Sequence, residues 1–267
     1  MATDGGADTV DRMTDTSQAP TRGRVTVEPG AKRVRALLGG HTVVDTLHPS
    51  LVWEIPYYPA YYFPREDVRM ELLTPSGHTQ HSTSRGDAHL FTVKGGKREA
   101  EDAAWNYPES PVEELRGLIR FDWDAMDGWF EEDEEVFVHP HDPYSRIDIL
   151  HSSRHVQVEV NGVTVADTHQ PTLLFETGLP TRYYFPKLDV RLDLLTPTDT
   201  TSGCAYKGFA AYWSVEAGGE TFEDLAWWYR TPLPENVKIA GLVAFYNEKV
   251  DLVIDGERQQ RPRTHFS

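Results

Sequence analysis

The sequence YYFPREDVRMELLTP at residues 61–75 returns, with few changes, as YYFPKLDVRLDLLTP at residues 183–197. The two stretches lie 122 residues apart, and the same spacing relates matching residues on both sides of them. Matching pairs include Asp45 and Asp167, Glu54 and Glu176, and Trp105 and Trp227. Identity at one fixed spacing over about sixty positions indicates duplication of a whole domain, because solenoid units are shorter. The chain is therefore predicted to contain two copies of one fold.

The composition excludes two classes of partner. Of the 267 residues, 42 are acidic and 26 are basic, which gives a formal charge of −16. Nucleic-acid binding depends on clustered basic side chains that neutralise phosphates, and the sequence contains no basic run. An acidic membrane surface would repel the chain for the same reason. We therefore expect neither nucleic acid nor membrane as a partner.

The sequence also predicts a cellular compartment. The single cysteine, Cys204, excludes an intramolecular disulfide and favours a reducing environment. Residues 1–22 are polar throughout and lack the basic-then-apolar order of a signal peptide. No apolar run approaches the roughly 20 residues that span a bilayer. We expect a soluble, cytoplasmic chain.

Composition along the chain suggests five segments. Residues 1–24 have no periodic apolar positions and are predicted to be a disordered tail. The first repeat is assigned to residues 25–121 and the second repeat to residues 151–256. Residues 122–150 carry many large apolar side chains, so we expect an ordered segment that packs between the domains. Residues 257–267 form a C-terminal tail.

Local patterns are mostly those of strands. Residues 155–166 alternate polar and apolar side chains around Asn161-Gly162, a turn favoured in β-hairpins, and Gly39-Gly40 plays the same part in the first repeat. The proline of each YYFP motif, followed by an acidic residue, fits the start of a short helix, with a strand as the alternative. The predicted fold class is mainly β (α+β at most). It comprises two homologous compact β-rich domains, with one or two short helices each, related by a pseudo-two-fold axis.

Five motifs of the second repeat follow one another in a specific order. They are the hairpin ending in Ala166-Asp167-Thr168, the YYFP block, the turn Cys204-Ala205-Tyr206-Lys207-Gly208, the Trp-x-Tyr segment at residues 227–229, and the closing IAGLVAFY at residues 239–246. Together they resemble the tandem, actinobacterial-type version of the family called domain of unknown function 427. The resemblance covers about residues 25–256 and implies a small β-rich fold of unsettled activity. The family is also labelled a nucleotidyltransferase-type domain, but the phosphate-cradling motif G-x-x-x-x-G-K-[ST] is absent from this sequence.

The turn motif differs between the repeats. The family pattern is Cys-Pro-Tyr-Lys-Gly, and this chain has Ala205 in place of the proline. The first repeat has Ser82, Ser84 and Arg85 at the positions of Cys204, Tyr206 and Lys207. Of the family pattern it keeps only the glycine, at the position of Gly208. If the turn forms a site, the resemblance places that site in the second repeat.

The first functional hypothesis is a pocket for a small anionic molecule in the second repeat. Lys207 lies on a turn among aromatic residues, where an ammonium group can bind an anion or, if desolvated, act as a base. Cys204 can act as a nucleophile if the nearby cation stabilises its thiolate, the alternative being a small buried side chain. Arg182, whose counterpart is Ala60, can bind a carboxylate or phosphate with two hydrogen bonds. Any reaction would be group transfer or hydrolysis assisted by Lys207 and Cys204.

Six further residues complete this predicted pocket: Tyr183, Tyr206, Trp213, Asp189, Arg191 and Glu176. Both repeats keep Asp189, Arg191 and Glu176, although only one keeps the turn motif. A buried structural ion pair is therefore the alternative for the first two, and a structural role is the alternative for Glu176. For the aromatic residues the alternative is the core, where strand-rich domains bury such side chains.

Two other functions stay open. His139, His141 and Asp142, with His151 and His155 nearby, offer nitrogen and oxygen ligands for a divalent metal in a metal-dependent enzyme. Histidines with ordinary hydrogen bonds are the alternative there. A non-catalytic module that binds a protein or peptide in an aromatic cleft is the third hypothesis. The sequence identifies no cofactor, and duplication already supplies a pseudo-dimer, so a homodimer is allowed but not required.

Overall fold

The computed structural model describes residues 25–267. The tail predicted at residues 1–24 lies outside these described residues. Both repeats consist of β-strands joined by loops and short 3-10 helices, which confirms the mainly β fold class. Within residues 25–267 no helix is long and apolar enough to cross a bilayer.

The first repeat contains eleven strands. They are β1 (Thr26–Pro29), β2 (Val34–Leu38), β3 (His41–Thr46), β4 (Ser50–Trp53), β5 (Ala60–Pro64), β6 (Leu73–Ser82), β7 (Gly86–Gly95), β8 (Arg98–Asn106), β9 (Leu118–Phe121), β10 (Gly128–Glu131) and β11 (Glu134–Val136). Its 3-10 helices are Arg65–Asp67, Met70–Leu72 and Glu113–Leu115.

The second repeat contains eleven more. They are β12 (Ile147–His151), β13 (Val156–Val160), β14 (Val163–Thr168), β15 (Thr172–Glu176), β16 (Arg182–Phe185), β17 (Leu195–Cys204), β18 (Gly208–Ala217), β19 (Glu220–Tyr229), β20 (Val243–Phe245), β21 (Asp251–Ile254) and β22 (Glu257–Arg258). Its 3-10 helices are Lys187–Asp189, Leu192–Leu194 and Pro234–Ile239.

Each repeat packs a seven-stranded sheet against a four-stranded sheet. The first repeat has the orders β1-β4-β5-β9-β8-β7-β6 and β11-β10-β2-β3. The second repeat has the orders β12-β15-β16-β20-β19-β18-β17 and β14-β13-β21-β22. The two sets are identical when the strands of each repeat are matched in chain order, which confirms the duplication.

The hairpin predicted around Asn161-Gly162 is present. Strands β13 and β14 pair up to Val160 and Val163, so the loop contains two residues. Both loop residues have positive φ, 47° at Asn161 and 77° at Gly162, which is the backbone that a type I′ turn requires. The three valines of β13 are buried, and the two polar residues between them are partly exposed. One face of the hairpin therefore packs on the core.

The residues that follow each YYFP motif form two consecutive 3-10 turns, in the region where the sequence predicted one short helix. The hydroxyl of Thr168 donates to Asp189 at 2.6 Å, and that of Thr46 donates to Asp67 at the same place in the first repeat. The main chain also forms an antiparallel bridge between Ala166 and Val190. These contacts attach the turns to the four-stranded sheet.

The segment predicted to lie between the domains is divided among three structures. Residues 128–136 form β10 and β11, and β10 pairs with β2, so these strands complete the four-stranded sheet of the first repeat. Residues 147–151 form β12, an edge strand of the second repeat. Residues 137–146 are left as the connection between the repeats.

Each repeat has two apolar clusters on opposite sides of its seven-stranded sheet. The larger cluster of the second repeat lies between the two sheets and includes Phe185, Val215 and Phe245. The smaller cluster, with Tyr184 and Trp227, lies on the side that we call the outer face. The first repeat has the same division, and Tyr62 lies in its smaller cluster. The outer face of the second repeat carries three of the predicted site residues, Lys207, Glu176 and Arg182.

Candidate functional site

Strand β16 separates the predicted ligand residues onto two faces of its sheet. Successive side chains of a strand lie on opposite faces. Tyr183 and Trp213 both lie on the side of the apolar cluster between the two sheets, whereas Arg182 lies over the ring of Trp227 on the outer face. The pocket predicted from the sequence, which joined Tyr183 and Trp213 to Arg182, therefore has to be corrected because the sheet lies between them.

Lys207 lies in the turn between β17 and β18, and its side chain is directed into the protein. Only 7% of the residue is exposed. Its ammonium group donates to both carboxylate oxygens of Glu176, at 2.7 and 2.6 Å. Glu176 ends β15, and its side chain is 14% exposed. The structure thus brings these two predicted residues together, and the cation already has an anionic partner.

Arg182 has a buried partner that the sequence analysis missed. Its guanidinium donates two hydrogen bonds to Glu248, at 2.6 and 2.8 Å, and Glu248 also accepts one from the hydroxyl of Thr264 at 2.6 Å. Phe266 lies over the guanidinium at 5.5 Å, so C-terminal residues cover the pair. Burial alone would raise the pKa of Glu248, but the hydrogen bonds from Arg182 and Thr264 hold that pKa below its ordinary value. The only sequence signal for this pair is an acidic residue in the turn after β20.

Cys204 ends β17 and is partly buried opposite Gly208. Burial raises the pKa of three hydroxyls near Cys204, those of Tyr184, Tyr206 and Tyr229. These tyrosines are therefore neutral phenols.

The same turn holds the connection between the repeats. The hydroxyl of Tyr206 accepts a hydrogen bond from the backbone N–H of Asp142 at 2.8 Å. The Nε2 atom of His141 lies 2.8 Å from the carbonyl oxygen of Ala205, and its ring stacks on that of Tyr206 with centroids 4.9 Å apart. Tyr206, predicted to line a pocket, thus contacts the connecting segment.

The predicted metal ligands of this connection have separate partners. His139 stacks on Tyr58 with ring centroids 3.9 Å apart. His141 contacts the turn, as described above, and Asp142 accepts a hydrogen bond from the backbone N–H of Tyr144 at 2.8 Å. Within the described residues, the groups close enough to share a metal ion do not include these three. The predicted metal centre is corrected accordingly, because the three side chains satisfy different contacts.

Asp189 and Arg191 do not form the buried ion pair expected as their structural alternative. Asp189 accepts from Thr168, whereas Arg191 forms an exposed ion pair with Asp193 at 2.6 Å. The first repeat has an equivalent exposed pair after its own YYFP motif. In both repeats the aspartate and the arginine therefore have separate partners.

The first repeat has a cluster of its own at the place of the Lys207–Glu176 pair. Glu54 occupies the position of the glutamate, and Arg85 that of the lysine. Arg85 and Arg120 both pair with the same oxygen of Glu54, Arg85 at 3.5 Å, and the hydroxyl of Tyr62 donates to the other oxygen. Burial, followed by the charge of Glu54, raises the pKa of Tyr62, so this phenol stays a donor.

The two repeats supply an equivalent guanidinium from neighbouring strands. Arg120 lies in β9 at a position where β20 has Ala244. Arg120 nevertheless lies over Trp105 at 4.8 Å, and Arg182 of β16 lies over the corresponding Trp227 at 5.6 Å. Alignment of the repeats conceals this equivalence, because the arginine has moved one strand across the sheet.

The repeats differ in the charge balance of their outer faces. In the second repeat, Lys207 and Arg182 each have a carboxylate of their own. In the first repeat, Arg85 and Arg120 share Glu54, and no second carboxylate of residues 25–267 pairs with either. The two arginine side chains are 17% and 24% exposed. The cluster of Glu54, Arg85 and Arg120 therefore carries an excess positive charge that solvent can reach.

Comparison with protein-family models matches most of both repeats. The model of a domain of unknown function (DUF427) matches residues 26–132 and again residues 148–256. These two ranges agree with the tandem arrangement of the sheets. A comparison with curated proteins found no significant match.

Proposed function

The chain belongs to the DUF427 family, and we propose that it binds a small anionic molecule on the outer face of its first repeat. The observation that carries this proposal is that two guanidinium groups, of Arg85 and Arg120, share the single carboxylate of Glu54. This arrangement leaves a net positive charge in a partly desolvated place, where attraction for an anion is stronger than in bulk water.

The donors of this cluster suit an oxyanion. A guanidinium has five N–H donors in a planar fork, and the contacts with Glu54 and with the Tyr107 hydroxyl at 3.2 Å use only some of those of Arg85. Arginine binds carboxylates and phosphates with paired, charge-assisted hydrogen bonds. The recognised group is therefore a phosphate, a pyrophosphate or a dicarboxylate.

The second repeat is the alternative location, and it is the one that the turn motif favours. There an anion has to compete with Glu176 for Lys207 and with Glu248 for Arg182, because both cations are already paired. Group transfer assisted by Lys207 and Cys204 would be a further step that depends on binding in that repeat. We place the binding site in the first repeat because each cation of the second repeat already has a carboxylate of its own.

Titration with sodium pyrophosphate, phosphate and malonate tests this proposal by calorimetry and by thermal shift. A ligand at 100 times its Kd stabilises a folded chain by about 2.7 kcal/mol. The informative variant is Arg85→Lys/Arg120→Ala, which carries the residues of the second repeat at both positions and keeps one cation for Glu54. We expect at least a tenfold (~1.4 kcal/mol) loss of affinity. The control is Arg116→Ala, which removes an exposed arginine of the same repeat.

A second variant tests the sign of the electrostatic argument. Glu54→Gln keeps a hydrogen-bond acceptor but removes the negative charge, so we expect it to bind pyrophosphate at least about fivefold more tightly. Binding that survives Arg85→Lys/Arg120→Ala but is lost in Lys207→Met would place the site in the second repeat and contradict the proposal. If no anion binds the wild-type chain, the proposal fails and the interaction-module hypothesis takes its place.

A further inference from the structure

Four side chains on or directly beside strands β13 and β14 form a compact patch on the solvent side of the second repeat's four-stranded sheet. Gln157 of β13 lies opposite Asp167 of β14. His155 is two residues before Gln157, and His169 is two residues after Asp167. Because side chains alternate along a strand, all four lie on one face. Val156, between two of them, is fully buried on the other face.

Three of these side chains bring metal-binding atoms together. The Nε2 atom of His155 lies 2.7 Å from Oδ1 of Asp167. The rings of His155 and His169 stack with centroids 4.0 Å apart and planes 14° apart. One donor atom from each of the three residues lies within 4.8 Å of the other two. His155 and Asp167 have side chains 30% and 48% exposed, so an ion in solution can reach them.

The positions of these ligands are fixed by further hydrogen bonds. The backbone N–H of His155 donates to the carboxylate of Asp255 at 3.0 Å, and its carbonyl oxygen accepts from the Asp255 N–H at 2.8 Å. Gln157 donates to the second oxygen of Asp167 at 2.8 Å. Contacts of this kind orient ligands around metal ions in proteins.

The first repeat has only an ion pair at the equivalent position. Arg33 and Asp45 take the places of the first histidine and the aspartate, and Arg33 Nε donates to Asp45 at 2.7 Å. Leu47, at the place of His169, is 66% exposed. An ion pair accounts for a basic residue beside the aspartate, but it gives no reason for a second imidazole where the other repeat has a leucine.

We propose that His155, Asp167 and His169 bind one divalent transition-metal ion of the zinc type. Two imidazoles and one carboxylate suit Zn²⁺, Co²⁺, Ni²⁺ and Cu²⁺ better than Mg²⁺ or Ca²⁺, which prefer all-oxygen sites. Metal–ligand distances near 2.1 Å place donors about 3.4 Å apart in a tetrahedral site. The His155 Nε2 and Asp167 Oδ1 atoms, at 2.7 Å, therefore have to move apart by about 0.7 Å, while the donor of His169, within 4.8 Å of the other two residues' donors, has to approach by at most about 1.4 Å. Water completes the coordination.

Another group of possible ligands provides an internal comparison. His78, Glu101 and Asp102 of the first repeat also lie within reach of one another, but they include a single imidazole. The second repeat has Thr200 in place of His78. His78→Thr therefore removes the competing group with a residue that the same fold already accommodates.

The experiment is a calorimetric titration of the full, tag-free chain with ZnCl₂, repeated with CoCl₂ while the visible absorption of the cobalt complex is recorded. The test variant is His155→Arg/His169→Leu, which installs the first repeat's residues and restores an arginine–aspartate ion pair. His169→Leu alone leaves the contact of His155 with Asp167 in place, and it serves as the second test variant if the double variant does not fold.

We expect one Zn²⁺ per wild-type chain, binding at least about tenfold weaker in His169→Leu, and no detectable binding in the double variant. His78→Thr is expected to bind like the wild type. Unchanged affinity in His169→Leu or in the double variant overturns the proposal. Loss of binding in His78→Thr, or a wild-type chain that binds no Zn²⁺ at 1 mM (Kd far above about 1 mM), overturns it as well.

Discussion

Replacing Glu248 by alanine leaves the guanidinium of Arg182 buried without its counter-charge. The side chains of Arg182 and Glu248 are 6% and 0% exposed, so water cannot take over the role of the carboxylate. Breaking a buried ion pair by removing one partner costs about 3–5 kcal/mol, because the remaining charge stays desolvated. We expect Glu248→Ala to lower the free energy of unfolding of the second repeat by that amount.

The double variant Arg182→Met/Glu248→Leu separates charge from packing. It removes both charges and fills the space with apolar atoms, a change that is often close to neutral for a buried pair. We therefore expect the double variant to be more stable than Glu248→Ala, although it lacks more of the native contacts. Such behaviour is the signature of a strongly coupled pair in a double-mutant cycle.

Urea unfolding followed by tryptophan fluorescence measures these differences, and a global fit should allow separate transitions for the two repeats. The matched control is Asp193→Ala, which breaks the exposed ion pair of Arg191. Exposed pairs contribute about 0–1 kcal/mol, so this variant should resemble the wild type. A cost for Glu248→Ala no larger than that of Asp193→Ala would refute the reasoning from burial.

Three further predictions concern stability. The low pKa of Glu248 means that its contribution is present above the ordinary value of 4.5 and is lost as the pH falls through the folded-state pKa. The stability difference between wild type and Glu248→Gln, measured by urea unfolding, should therefore shrink below about pH 4.5, and a constant difference would contradict this. Lys207→Met should cost about 3 kcal/mol by leaving Glu176 unpaired, and the added Glu176→Gln should recover part of it in thermal melts. Gly39→Ala should cost more than about 2 kcal/mol, because φ is +58° and a Cβ there would lie 1.9 Å from the Gly95 carbonyl oxygen; a melting temperature near that of wild type would contradict this.

The duplicated fold was predictable because its signals are local or strictly repeated. A fixed spacing of 122 residues does not depend on knowing the fold, and Asn161-Gly162 predicts its hairpin from backbone preference alone. The segment at residues 122–150 was harder, since β10 pairs with β2 about ninety residues earlier in the chain. Its apolar residues did not indicate which sheet they join.

The candidate site was predictable only in part. Lys207 and Glu176 are in contact, and the sequence analysis assigned both to one pocket. Side-chain alternation along β16, however, places other residues of that predicted pocket on opposite faces of the sheet. The charge balance depends on Arg120, which aligns with an alanine in the second repeat and so looks unremarkable in the sequence. Only the sheet order shows that its guanidinium matches that of Arg182 from a neighbouring strand.

A crystal structure of the wild-type chain soaked with sodium pyrophosphate would show directly whether the anion binds to the first repeat. We expect ligand density on the outer face of that repeat, within hydrogen-bond distance of both Arg85 and Arg120. Density at Lys207 or Arg182 instead, or no density at a pyrophosphate concentration that shifts the melting temperature, would contradict it.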